Sequence, residues 1–314
     1  MRVRIVALFL IAWSACGSFA WAGIVEDVRS DLGQNNFSAA EAALNSYRGQ
    51  QGITPEYLEA YSWLGRAALE QREYPQAASY AKQTKALTLD QLKQRSVDAE
   101  PHLPIALGAA LEVQAQVLAA QGERTQAVAL LQTALQRYGS TSIRARLQKN
   151  LNLLSLDGKP APALKSEQFF GPKPPTLASL KGSPVLLFFW AHWCGDCKAE
   201  APVLARIMAT YGSQGLVLIG PTQHYGYAAE GMDATPEQET QYIEQIRRQY
   251  YRILSTMVVP LAERNFLNYG CSTVPTLVLL DRAGTVRFYH PGAMSYQALA
   301  EQIKGLLSPQ AAHA

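Results

Sequence analysis

Cysteine is scarce: the chain of 314 residues has four, at positions 16, 194, 197 and 271. So sparse a set speaks against a scaffold stapled by disulfides, which spends many cysteines on a small core. Histidine is nearly as rare, with five in the chain, and none of them forms an H-x3–5-H pair. A structural zinc site built from two spaced ligand pairs therefore lacks its second pair. Charge is thin too, at 17% Asp, Glu, Lys and Arg with a formal net charge of +3. That balance supplies no basic field for nucleic acid or for an anionic membrane surface. Beyond the start of the chain, no apolar run is expected to reach the ~20 residues that cross a bilayer.

The chain opens on Met1-Arg2-Val3-Arg4, runs apolar from Ile5 to Trp13, and reaches Ala20-Trp21-Ala22 before Gly23. A basic start, a short apolar core and a small-x-small end predict an export signal over residues 1–22. Its removal takes Arg2 and Arg4 and lowers the formal charge from +3 to +1. An uncleaved anchor and a lipoprotein site at Cys16 are the alternatives, although Trp13-Ser14-Ala15 matches poorly the residues that precede a lipidated cysteine.

The length is enough for two domains after such a signal. From about Ile24 to Leu154, Ala, Gln and Leu dominate and long stretches lack Pro and Gly, which predicts helices. The pattern repeats. Asn36-Phe37-Ser38-Ala39-Ala40, Glu73-Tyr74-Pro75-Gln76-Ala77 and Glu123-Arg124-Thr125-Gln126-Ala127 align with one another. Each resembles the start of the second helix of a tetratricopeptide repeat, where a small Ala lets two helices approach. Tyr61 with Leu64-Gly65, and Leu111 with Ala115, suit the first helices of the middle and last units. Ala40, Ala77 and Ala127 lie 37 and 50 residues apart. The excess over a ~34-residue unit places extra chain between repeats, notably around Leu87 to Pro104. An ordinary helical bundle is the competing reading. The Pro-containing stretch Asp157 to Pro162 is the expected link to the second domain.

The strongest motif is Trp193-Cys194-Gly195-Asp196-Cys197. It comes after an apolar run, Val185 to Trp190, that reads as a buried strand, and precedes Lys198 to Leu204, which reads as the first turns of a helix. Strand, then C-x-x-C, then helix is the context of a dithiol redox site. There Cys194 meets unpaired backbone N–H groups and the positive end of the helix dipole, both of which favour a thiolate. Cys197, one turn on, is close enough to attack a mixed disulfide on Cys194. Half of a zinc site and a purely structural disulfide are the other readings of C-x-x-C. The first lacks partner ligands, and the second closes too small a loop to constrain much of the unfolded chain.

Four passages from Gly158 to Leu307 carry a resemblance. They are Gly158-Lys159-Pro160-Ala161-Pro162 with Leu177 to Gly182, Phe189 to Cys194 with Cys197 to Pro202, Tyr269 to Thr276, and Leu279 to Gly284. In this order they resemble the TlpA/ResA-like family of extracytoplasmic thiol:disulfide oxidoreductases. That resemblance implies a thioredoxin-like α/β fold, a central mixed sheet flanked by helices, over residues 155–314. An all-α tetratricopeptide-like domain would precede it over residues 23–154. Carried over, the resemblance makes Cys194 the exposed nucleophile, Cys197 the buried resolving thiol and Pro275 a cis-proline facing them. It also places Trp193, Thr273 and Val274 at the substrate. Glu200 corresponds to the acidic residue held near the pair, where a carboxylate opposes thiolate formation and can exchange a proton. An ordinary solvated helix residue is its alternative. No metal and no bound cofactor is implied.

The sequence departs from the family. Phe188 stands where thioredoxins carry a buried Asp and TlpA-like relatives often Asn, which removes any proton relay through that position. Gly195-Asp196 replaces a dipeptide that often contains proline. The segment from Pro221 to Val259 is long; it holds the polar-aromatic loop Gln223-His224-Tyr225-Gly226-Tyr227 and an expected helix from Thr235 to Leu254, and reads as an exposed connection, with an insertion that shapes the substrate side as the alternative. Cys271 reads as a buried small hydrophobe, with a third reactive thiol near the C-x-x-C face as the alternative. His192 reads as an exposed polar residue at the rim, with support of the Cys194 thiolate by its protonated ring as the alternative.

Together these features predict a periplasmic enzyme that reduces disulfides in client proteins. A membrane-linked thiol reductant would recharge it, and its helical repeats would recruit a protein partner; no nucleic acid is expected. The alternative is a partner-binding or assembly protein in which the redox domain is secondary. A thiol peroxidase would need Thr or Ser where this chain has Ala191.

Overall fold

A computed structural model describes residues 23–307; the expected signal over residues 1–22, including Cys16, lies outside the described residues. Seven helices come first: α1 (Ile24–Gly33), α2 (Phe37–Gln51), α3 (Pro55–Glu70), α4 (Tyr74–Gln91), α5 (His102–Ala120), α6 (Arg124–Tyr138) and α7 (Arg144–Ser155). Their starts obey local chemistry. The Asn36 and Thr54 side chains accept the Ala39 and Tyr57 N–H groups as N-caps, and Pro55 and Pro75 sit in first turns where no donor is lost.

The three aligned segments open α2, α4 and α6, so the repeat unit is the pair α1–α2, α3–α4 and α5–α6. Ala40, Ala77 and Ala127 are fully buried, and the Cβ position of Gly65 lies 3.5 Å from Tyr80 Cβ, so small residues do set the helix approach. The extra chain between the second and third units is the tail of α4 and a short 3₁₀ turn at Val97–Ala99. One expectation is corrected. Among the described residues α5 is long and apolar enough to cross a membrane. Its Leu103, Ala106, Leu107, Ala110 and Val113 are instead buried within the helical array, which explains its apolar composition.

The second half contains β1 (Gln168–Phe170), β2 (Val185–Phe189), α8 (Gly195–Tyr211), β3 (Val217–Ile219), α9 (Pro236–Tyr250), β4 (Val259–Leu261), α10 (Glu263–Tyr269), β5 (Thr276–Leu280), β6 (Val286–Pro291) and α11 (Tyr296–Leu307). Four strands form a mixed sheet in the order β3-β2-β5-β6. In it β2 and β3 run parallel, while β5 is antiparallel to both β2 and β6. Strands β1 and β4 form a separate antiparallel pair. Because side chains alternate along a strand, β2 and β5 feed two cores. Leu186, Phe188, Leu277 and Leu279 pack with α8, α9 and α11, whereas Val185, Leu187, Phe189, Val278 and Leu280 pack with Phe266, Tyr269 and Cys271. This is a thioredoxin-like sheet with helices on both faces, preceded by an all-α repeat region.

The stretch after α7 is not a free tether. The Gly158 N–H donates to the Val286 carbonyl at 2.8 Å, and the Val286 N–H returns a bond to the Lys159 carbonyl at 2.9 Å. It thereby covers part of the β6 edge, whose backbone groups would otherwise be open to another chain. The two halves also meet directly. Asn152 of α7 donates to the Tyr269 carbonyl at the end of α10, at 2.8 Å. Gly270, with φ +62°, has its Cβ position only 2.3 Å from the Lys149 N atom. No other residue fits there, because both the left-handed backbone and the contact with α7 require glycine.

Candidate active site

Helix α8 begins immediately after Cys194, which is its N-cap with φ −74° and ψ 111°. Cys194 and Cys197 are joined as a disulfide with Cα atoms 5.3 Å apart. The Cys197 N–H points at the Cys194 sulfur at 3.0 Å, so one of the unpaired donors of the helix end is spent on sulfur. Asp196 lies in the first turn, where a carboxylate complements the helix dipole while adding a negative charge beside Cys194.

Across from the pair, the Val274–Pro275 bond is cis. The Val274 carbonyl oxygen lies 3.6 Å from the Cys194 sulfur. The loop is held by the Thr276 hydroxyl, which donates to the Thr273 carbonyl at 2.7 Å, and by the Gly292 N–H on the Pro275 carbonyl at 2.7 Å. The Val274 N–H donates to no described residue. A segment beside the disulfide therefore has a backbone donor to pair with. Trp193 stands next to it, 47% exposed.

One expectation fails at the nucleophile. Cys194 is buried, with 3% of its surface exposed, where the resemblance implied an exposed thiol. The close approach of the Val274 loop and its place at the helix cap leave the sulfur only a small opening. Cys197 is fully enclosed, as implied, within the core that contains Phe188 and Leu204.

Glu200 is not an ordinary solvated residue. It is buried, and its carboxylate oxygens accept the Met294 N–H at 3.2 and 3.3 Å. Burial pushes its carboxyl above the usual carboxylate range; the Met294 bond pulls it down, and the Asp196 charge pushes it up again. A carboxyl biased towards its protonated form one turn from Cys197 can hold or release a proton. At Phe188 the chain offers only an apolar ring, which packs edge-on against Tyr251 at 5.9 Å.

His192 is the largest correction. It is fully buried, not at an exposed rim, and its Nε2 lies 3.0 Å from Glu239 Oε1 on α9. The Glu239 carboxylate also accepts the Tyr225 N–H at 2.6 Å and the Gly226 N–H at 2.9 Å. The His192 ring is packed edge-on by Tyr225, Tyr227 and Tyr242 at 5.3–5.6 Å. Its Nδ1 is buried without a partner among the described residues. Burial drives the imidazole below its usual range, with Glu239 pulling the other way and Lys198 and His224 adding to the fall. So the long Pro221–Val259 segment is not a mere exposed connection. Glu239 folds its loop back until Tyr225 lies edge-on to Trp193 at 5.5 Å, making a wall beside the cysteines. The aromatic density at Tyr225-Gly226-Tyr227 is the legible signal; the partner at position 239 is not.

Cys271 is a free thiol, buried in the opposite core from the disulfide. Burial pushes it well above the ordinary thiol range, against a smaller pull from the Thr276 hydroxyl. It behaves as the small hydrophobe. Among the described residues no group of three or more His, Cys, Asp or Glu side chains could hold a metal ion.

Comparison with known proteins bears on this geometry. A family described as a thioredoxin-like domain matches residues 175–306, and one described as a tetratricopeptide repeat matches residues 27–88. The thiol:disulfide interchange protein DsbE of Xylella fastidiosa (strain Temecula1) is 30% identical over 155 residues, covering 49% of this chain and 71% of the relative. The thiol-disulfide oxidoreductase ResA of Halalkalibacterium halodurans is 25% identical over 136 residues, covering 43% of this chain and 68% of the relative. Among solved structures, a thiol:disulfide interchange protein of the thioredoxin family from Chlorobium tepidum is 23% identical, with a TM-score of 0.37, covering 48% of this chain and 97% of its own.

Proposed function

The chain belongs to the thioredoxin-like thiol:disulfide oxidoreductases, and from that premise we propose that it reduces disulfides in client proteins in the periplasm. The single observation that carries the reading is the N-cap placement of Cys194, its sulfur facing a helix donor on one side and the Val274–Pro275 loop on the other. In the reduced protein the Cys194 thiolate attacks one sulfur of a client cystine. The client S–S bond breaks, one client thiolate leaves and takes up a proton, and a Cys194–client disulfide remains. The Cys197 thiolate then attacks the Cys194 sulfur, the second client thiol departs, and the Cys194–Cys197 disulfide is left. Glu200 exchanges the proton of Cys197, and Trp193, Thr273 and Val274 hold the client segment. A membrane-linked thiol reductant returns the two electrons, so the cycle needs no bound cofactor or metal. The basic, apolar start of the chain up to Ala22 supports export. The domains run 1–22 for the signal, 23–154 for the helical repeats and 155–314 for the redox unit, with the repeats recruiting a protein partner.

Cys197→Ser tests it, since a chain without its resolving thiol should accumulate covalent client adducts through Cys194. Absence of such adducts from the exported fraction sinks the proposal. A second reading rests on the tetratricopeptide match: an assembly protein in which the repeats act and the redox pair is secondary. A double Cys194→Ser, Cys197→Ser chain that keeps its cellular phenotype would favour that reading.

A further inference from the structure

A cluster of cations on the helical half has no role in the mechanism above. Arg146 and Lys149 of α7 share one carboxylate, Glu112 of α5, at 3.3 and 3.0 Å. Arg66 of α3 borders the same space, and its buried Nη2 has no hydrogen-bond partner among the described residues. Burial lowers the Arg66 guanidinium to about 10, with the like charges of Arg146 and Arg29 adding to the fall and the Glu112 and Glu59 carboxylates opposing it. Glu59 is engaged elsewhere, 2.8 Å from His102 Nδ1, and Glu70 lies exposed at the outer rim. Gly108 explains how Arg146 is fixed there. A Cβ at that position would fall 2.9 Å from Arg146 Cδ, so the missing side chain lets Arg146 cross α5 and donate to the Ile105 carbonyl at 3.2 Å.

Two open cavities share lining residues of this cluster. One, of about 330 Å³, is lined by Arg66, Glu112, Arg146 and Lys149. The other, of about 260 Å³, is lined by Arg146 and Lys149 again and ends on Ser272 and Thr273. Thr273 is the neighbour of Val274, whose carbonyl faces the Cys194 sulfur. The cationic wall is thus continuous with the loop beside the disulfide, although it is built by the other half of the chain.

We propose that this space extends the client groove and takes an acidic segment of the client polypeptide, whose carboxylate sits against Arg146 and Lys149. The proposal rests on the client-reduction reading and names what the client must carry. A strand pairing at Val274 advances ~3.3 Å per residue, so peptides that carry the carboxylate at successive positions flanking the cystine scan the reach of the groove. Glu112 serves as the counter-charge of the empty groove, and a client carboxylate joins it without leaving a cation unpaired.

The test uses the full-length reduced protein and two cystine peptides that differ only in Glu or Gln at those flanking positions. The quantity read is the ratio of their second-order exchange rates on one protein sample, which cancels any loss of folded material. Charge-assisted contacts in a partly buried groove should favour the Glu peptide about tenfold at low salt, and the advantage should shrink at high salt. Lys149→Gln should bring the ratio towards one, and Glu112→Gln should widen it, opposite directions that general destabilisation cannot produce. A ratio near one in all three proteins, with both peptides exchanging, overturns the groove and leaves the reductase reading intact. Exchange with neither peptide overturns the reductase reading and the groove with it. Capture of phosphatidylglycerol vesicles through Lys149, with no Glu preference, also overturns the proposal, since the patch would then serve a membrane.

Discussion

Two sulfurs one turn apart on a helix meet different electrostatics, and that difference supports the roles proposed for them. Cys194 caps the helix and receives a backbone donor, while Cys197 is enclosed among apolar side chains. Cys271 has neither a cap nor an opening, and burial disfavours its thiolate. In native reduced protein, iodoacetamide near pH 7 should therefore label Cys194 first and leave Cys271 untouched until denaturant is added; peptide mapping reads the order. Glu200 gives a pH prediction. Its folded pKa is raised, so its contribution to stability is fully present below the ordinary carboxylate pKa and is lost as pH rises through the raised value. Glu200→Gln keeps an oxygen for the Met294 N–H and removes that loss. Its melting temperature relative to the parent should rise between pH 4 and pH 8, and a constant difference would contradict the assignment. At this scale the cysteines and Pro275 are legible because each lies in a contiguous motif. The burial of His192 is not, because its partner Glu239 lies 47 residues away and no local pattern marks a buried pair formed across that distance.

Elements are more legible than boundaries, for a physical reason. The buried strands β2 and β5 are continuous apolar runs, and the small residues at Ala40, Ala77 and Ala127 mark helix approach wherever they recur. By contrast α7 carries no repeat signature, because one of its sides packs on the redox half instead of on another repeat. The Pro221–Val259 segment is legible as a helix, α9, flanked by loops, and as an insertion that can shape the substrate side, but the contact that makes it a wall of the site is not. Glu239 makes it one by accepting from His192 and from two backbone N–H groups of the loop. Glu239→Ala leaves those buried donors unpartnered and should cost roughly 3 kcal/mol in urea unfolding, whereas Glu239→Gln, which retains one acceptor oxygen, should cost roughly 1 kcal/mol. The depressed His192 pKa adds a sign. Its stabilisation is present above the ordinary imidazole pKa and is lost as pH falls through the depressed value, so unfolding should become easier in mild acid.

The whole molecule is two kinds of structure docked at one seam, and the seam lies just before the Val274–Pro275 loop. Asn152, Tyr269 and Gly270 join α7 to α10, and Tyr289 adds a bond from its hydroxyl to the Tyr269 carbonyl at 2.9 Å. Gly270→Ala would drive a methyl group into the α7 backbone and strain a left-handed residue. Calorimetry should then show two unfolding steps in place of a single coupled one; an unchanged single transition would mean that the seam carries little. Composition suggests two domains but gives no hint of this contact, since Asn152 and Gly270 are 118 positions apart and belong to different periodic patterns. The central claim concerns the direction of electron flow. Asp196 places negative charge near sulfurs that the helix end would otherwise hold as thiolates, which favours the disulfide and makes the dithiol a donor. Equilibrating full-length protein with graded glutathione buffers and reading the Cys194–Cys197 state measures this most directly. A midpoint in the thioredoxin range, about −270 mV, is the predicted result. A midpoint near about −120 mV, in the range of a strong oxidant, or a pair that stays linked at every ratio, would contradict it.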